Sequence, residues 1–209
     1  MPTNAVVIAD LTLRWIVTLL FLFSAAECAY AIAAGARTPL SVVGQTLHLI
    51  MAVAMAVMAW PKGAALPTVA PMIFFLLATA WFVAAAVIEP HHWLGNMYHS
   101  AMMLAMAWMY AAMNGRILPG QAAAAGGSGG HHGMSMPGMD MSGTEMPDTG
   151  ASGTLPYITA VNWFWTVGFA VAALWWSYRF VTRSNGDRWG PLAQAMMAAG
   201  MAVMFAVML

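Results

Sequence analysis

The sequence predicts an all-α protein: a polytopic bundle of about six transmembrane helices forming one membrane domain. Three observations carry this. Of 209 residues, 62 % are apolar and 7 % charged, against roughly 45–50 % and about 25 % in ordinary soluble domains. So few charges cannot cover a surface that faces water. Six mostly apolar stretches of about 20 residues, the length that crosses a bilayer, follow one another along the chain. Prolines at Thr38-Pro39, Trp60-Pro61, Glu89-Pro90 and Gly190-Pro191 punctuate them, where a missing N–H and a fixed φ end or start a helix.

The first span runs Leu11–Ala34, and no Lys or Arg precedes Arg14. With an apolar run too long for a leader's core, it reads as a retained helix and not a cleaved signal. The second covers Leu40–Trp60, the third Val69–Ile88 and the fourth His91–Met113. The fifth covers Tyr157–Val181 and the sixth Pro191–Leu209. Trp15, Trp60, Trp93, Trp108, Trp163 and Trp189 fall near span ends, the place of interfacial aromatics. The chain thus divides into helices one to four (1–119), a loop (120–156) and helices five and six (157–209). The loop is rich in Gly, Ser, Pro, Met and His, has no apolar periodicity, and is expected to be disordered.

Charge excludes several classes of function. Lys+Arg and Asp+Glu are both 7, so nothing argues for nucleic acid. The lone Cys28 excludes an internal disulfide framework and Cys-rich metal sites. No nucleophile–base set, phosphate loop or carboxylate cluster is present, so no enzymatic activity is expected. With the N-terminus outside, Arg37, Arg179, Arg183 and Arg188 fall inside and Arg14, Lys62 and Arg116 outside. The positive-inside rule then favours a plasma-membrane protein with its N-terminus and long loop extracytoplasmic.

The main sequence feature is a threefold repeat. Span two contains His48, Met51, Met55 and Met58; span four contains His99, Met102, Met106 and Met109. Both read H-x2-M-x3-M-x2-M, with Ala on either side of the middle Met and a proline nine residues before the His. Span six repeats the spacing with Gln194, Met197, Met201 and Met204. On a helix these offsets fall within a stripe about 80° wide. The methionines stand about 4.5, 10.5 and 15 Å above the leading residue. Spans two, four and six cross in the same direction, so their stripes can form three layers. These are Met51/Met102/Met197, Met55/Met106/Met201 and Met58/Met109/Met204. Glu27 in span one should lie at the depth of the histidines. A buried ionisable residue usually faces a partner in the bundle interior, and His48 or His99 is the expected one.

Thioethers are soft ligands that select Cu(I) over hard cations. The loop adds His131, His132, Met134, Met136, Met139, Met141 and Met146, methionines with no core to fill. A Met stripe also serves as packing, because Met fills irregular gaps. A structural hydrogen-bonded pair is likewise the other reading of the histidines.

The segments H-L-I-M-A-V-A-M-A-V-M-A-W and H-S-A-M-M-L-A-M-A-W-M-Y resemble an uncharacterised actinobacterial family of small integral-membrane proteins, classed as a domain of unknown function. The resemblance spans nearly the whole chain and implies a polytopic fold without an established activity. Met51-x3-Met55, Met102-x3-Met106 and Met197-x3-Met201 are also similar to the M-x3-M step of trimeric Ctr-type copper transporters. There one helix per subunit builds the layer, whereas here one chain supplies three. Three functions therefore compete: Cu(I) binding or movement, with a copper chaperone or membrane complex as partner; a redox protein with haem between His48 and His99; and a non-catalytic membrane accessory subunit.

Overall fold

The structure, a computed structural model, describes residues 11–34, 39–60, 67–121, 156–182 and 189–209. Six α-helices follow in order: α1 Leu11–Ala33, α2 Pro39–Met58, α3 Val69–Ile88, α4 Trp93–Asn114, α5 Pro156–Thr182 and α6 Trp189–Val207. A 3-10 turn, Pro90–His92, joins α3 to α4. There is no strand among the described residues.

Pro39, Pro90 and Pro191 act as the sequence predicts, with small shifts, and Pro61 lies outside the described residues. Pro39 opens α2, where its missing N–H would be unpaired anyway. Pro191 lies inside the first turn of α6, which begins two residues earlier, at Trp189; a first turn tolerates proline. Pro90 sits in the 3-10 turn, so the fourth helix starts at Trp93 and not His91. Gly115, with φ 71°, follows the last residue of α4 in the left-handed conformation that closes a helix at little steric cost. Inside the helices, hydroxyls bond back one turn: Thr18 Oγ1 to Arg14 O, Thr79 Oγ1 to Phe75 O and Thr166 Oγ1 to Asn162 O. These hydroxyls are thereby satisfied within their own helix, as a bilayer favours.

Five helices, all but α4, are long and apolar enough to cross a membrane. Helix α4 has 22 residues, ample length, but carries Asn96, Tyr98, His99, Ser100 and Asn114. Its neighbours shield it: nine of its residues are buried, as are nine of α6, against three in α5. The outer surface is apolar, with Leu77, Val87, Phe164, Leu174 and Val181 all exposed.

Close backbone packing joins α1 to α2, α3 to α4 and α5 to α6, three consecutive hairpins, and α1 to α6. Trp60 Nε1 donates to Thr18 Oγ1 at 3.3 Å across α1 and α2. Trp108 Nε1 donates to Asn162 Oδ1 at 3.0 Å, and Asn162 Nδ2 donates to Met208 O at 3.3 Å. Asn162 thus ties α5 to α4 and to the end of α6. Trp60 and Trp108 are therefore interior ties, not the interfacial anchors their positions suggest. Trp15, Trp93, Trp163 and Trp189 are exposed.

Candidate metal centre

All nine stripe methionines are buried: Met51, Met55 and Met58 on α2, Met102, Met106 and Met109 on α4, Met197, Met201 and Met204 on α6. They belong to one contiguous core cluster, closed by Phe21, Phe75, Phe82, Phe169 and Phe205. The three helices meet through these long side chains rather than by close backbone approach. Methionine suits that role, being unbranched and able to fill an irregular space. Met103, off the stripe, is equally buried, so burial alone does not mark the repeat.

At the N-terminal end of the stripes the two histidines meet. The rings of His48 and His99 lie edge to face, with centroids 4.3 Å apart and an interplanar angle of 73°. The Phe82 ring packs edge-on against both, at 5.7 and 5.4 Å. The matched proline spacing has put the histidines at one depth. His48 Nδ1 lies 2.9 Å from Gly44 O, one turn back. A carbonyl only accepts, so Nδ1 carries the hydrogen and Nε2 presents its lone pair. That Nε2 is buried and has no hydrogen-bond partner. Orientation of a ring through Nδ1–H···O=C is the usual support for an imidazole that ligates through Nε2.

A cavity of about 820 Å³ opens beside the pair. His48, His99 and Gln194 all line it, together with Gln45, Phe82 and Asn96. The leading residues of all three repeats therefore share one space. Gln194 Oε1 and Asn96 Nδ2 are also buried without partners.

Glu27 does not join His48. One ring nitrogen of His48 faces Gly44 and the other has no partner. The buried face of α1 is Val17, Phe21, Ser24, Ala25 and Cys28, and Glu27 lies about 100° around the helix from Cys28. Its carboxylate acts on the Cys28 thiol beside it in sequence.

Among the described residues, no three His, Cys, Asp or Glu side chains gather in a metal-holding group. A metal held here would need thioethers beside the histidine pair, which is a soft-metal donor set. The loop residues His131, His132, Met134, Met136, Met139, Met141 and Met146 lie outside the described residues.

The fold and site define a small all-helical protein of membrane type, with a methionine core below a histidine-lined cavity. Residues 40–208 match the family described as "Domain of unknown function (DUF5134)", and the chain belongs to that family. It is 49 % identical over 210 residues to "Uncharacterized protein Rv0970" of Mycobacterium tuberculosis, covering 97 % of this chain and 98 % of that protein. The same figures hold for "Uncharacterized protein Mb0995" of Mycobacterium bovis. No solved structure matches the chain.

Proposed function

We propose that this protein binds Cu(I) within the membrane and passes it between the long loop and the histidine-lined cavity. One observation carries the reading. The nine methionines of a threefold repeat share one buried cluster, and at its end stands a histidine whose free Nε2 has no partner. Thioether and imidazole are the donors that suit Cu(I) and exclude Mg and Ca, which need oxygen. The loop begins beyond the end of α4, nearest Met58, Met109 and Met204, while the cavity lies at the opposite end of the stripes. In a plasma-membrane protein with the N-terminus outside, copper is captured by loop thioethers and imidazoles. It is then exchanged through the core thioethers and received by His48 and His99. A copper chaperone or membrane complex on the cavity side is the matching partner.

Haem between the histidines has less support. Two axial metal–imidazole bonds of about 2 Å each already separate the nitrogens by about 4 Å. The centroids must then stand farther apart than the 4.3 Å found.

The test is titration of the detergent-purified full chain with Cu(I) against a competing chelator. Stoichiometric, tight Cu(I) supports the reading. A protein that takes up no Cu(I) or Ag(I) is a packed scaffold, and a Soret band on purification would return the histidines to haem.

A further inference from the structure

The cavity is much larger than a bare metal ion needs. Its volume of about 820 Å³ falls in the roughly 300–1,000 Å³ range of small-molecule sites. Its walls carry both polar and apolar side chains. Three of the lining residues each carry a buried polar atom without a partner: His48 Nε2, Gln194 Oε1 and Asn96 Nδ2. The first two offer lone pairs and the third offers hydrogens. Buried polar groups normally find partners, so this lining fits a ligand that supplies hydrogens to two acceptors and an oxygen to one donor. Hydroxyl groups do both.

The outward-facing lining is mixed: Ser41, Gln45, Glu89 and His91 are polar, while one side is apolar. Trp81, Trp93 and Leu94 line the cavity and are exposed. Trp81 lies eight residues before Glu89, the residue that follows α3. At about 1.5 Å per residue, the mouth reaches about 12 Å along the helix from its end. Trp81 is exposed on a membrane-type helix, so one side of the cavity is walled by a residue that faces outward from the bundle. A ligand bound there carries an apolar part along Trp81 and Leu94 and a hydroxylated ring to the unpartnered polar atoms. Phe82, buried beside both histidines, offers that ring an aromatic wall.

We propose that the cavity binds the reduced head group of a membrane-soluble hydroquinone. One hydroxyl donates to His48 Nε2, the other meets Gln194 Oε1, and Asn96 Nδ2 donates to a head-group oxygen. The inference implies a preference between redox states. The oxidised dione has only acceptors and would set its oxygens against the lone pairs of His48 and Gln194. A site built to pair a hydroxyl discriminates strongly against an analogue that lacks it.

The site does not depend on the copper reading, because it is tested on metal-free protein. The full chain in lipid nanodiscs is titrated anaerobically with duroquinol, and separately with duroquinone, by calorimetry. The expected result is a single saturable site that takes the quinol roughly tenfold or more tightly than the quinone, the effect of one hydrogen bond to a buried acceptor. Gln194→Leu and His48→Leu should each weaken quinol binding by a similar factor. Gln194 is only half-buried, so its variant carries the test if His48→Leu does not fold. Equal affinity for both redox states, no saturable quinol binding, or undiminished binding by folded Gln194→Leu would each overturn the proposal. None of these results alters whether the methionine core takes Cu(I).

Discussion

Phe21 of α1 lies directly over the α-carbon of Gly200 on α6. A Cβ at Gly200 would meet the ring Cζ at 2.7 Å and the two Cε atoms at 3.0 and 3.1 Å. This contact accounts for the departure of the third repeat from the other two. Where α2 has Ala54-Met55-Ala56 and α4 has Ala105-Met106-Ala107, α6 has Gly200-Met201-Ala202. Phe21 is fully buried within the core, so it has little room to retreat.

Gly200→Ala should therefore destabilise the bundle. Overpacking a tight core costs typically about 1–3 kcal/mol, against which the better helix propensity of Ala returns up to about 1 kcal/mol. The net loss should appear as a lower thermal midpoint in detergent. Phe21→Leu combined with Gly200→Ala should recover part of it, since the smaller side chain admits the new methyl. Strictly additive losses in the double variant would show that the two residues do not touch.

The Asn162 bridge offers a second stability test. Asn162→Leu strands the Trp108 indole N–H and the Met208 carbonyl. An unsatisfied buried group costs about 1–3 kcal/mol, more than the roughly 0.6 kcal/mol average of an intact interhelical hydrogen bond in a membrane protein. Adding Trp108→Phe removes the stranded donor, so the double variant should lose less than the sum of the two single losses. A thermal double-mutant cycle measures the difference. A coupling of zero would mean that Trp108 does not lean on Asn162.

The parts of this architecture that were legible in the sequence are those written as distances along the chain. Apolar runs of bilayer length gave the helices, and prolines gave their edges to within two residues. Equal Pro-to-His spacing in the two hairpins placed His48 and His99 at one height, and Gln194 entered the same cavity because its repeat begins there. What spacing does not carry is azimuth between different helices. Glu27 was expected at the height of the histidines, but its helix buries the face of Val17, Phe21, Ser24, Ala25 and Cys28, and His48 takes no bond from it. Trp60 and Trp108 occupy positions that suit interfacial aromatics, yet hydroxyl and amide partners on neighbouring helices draw them inward. The cavity had no signature, because it arises where α2, α4 and the end of α3 fail to fill the space beside Gln194.

If the loop captures copper, deleting His131–Met146 should lower the copper bound per chain and leave the thermal midpoint unchanged. A composition rich in Gly, Ser, Pro and polar residues is not one that builds a core, so the deletion is expected to remove ligands without removing core. Metal analysis of the purified deletion protein checks this. Unchanged copper content would remove the capture role and leave the core as the whole of the site.

The sharpest test separates thioether chemistry from packing in the core itself. Met55 and Met106 are both fully buried, each the middle methionine of its repeat. Leucine matches Met closely in size and apolarity, so each change should cost under about 1.5 kcal/mol. It also removes the sulfur, the atom for which a soft metal would enter an apolar core. The double variant Met55→Leu/Met106→Leu should fold, melt near the parent temperature, and lose Cu(I) or Ag(I) at the core site. Met196→Leu is the control: Met196 lies off the stripe, half-buried beside Leu19 and Phe23 in an apolar surface groove, and its loss should leave metal binding intact. If the methionines serve only as packing, both variants should show small stability changes and neither should change metal uptake. Retention of full Cu(I) affinity by the folded double variant, measured by chelator competition, would reject the thioether core as the site.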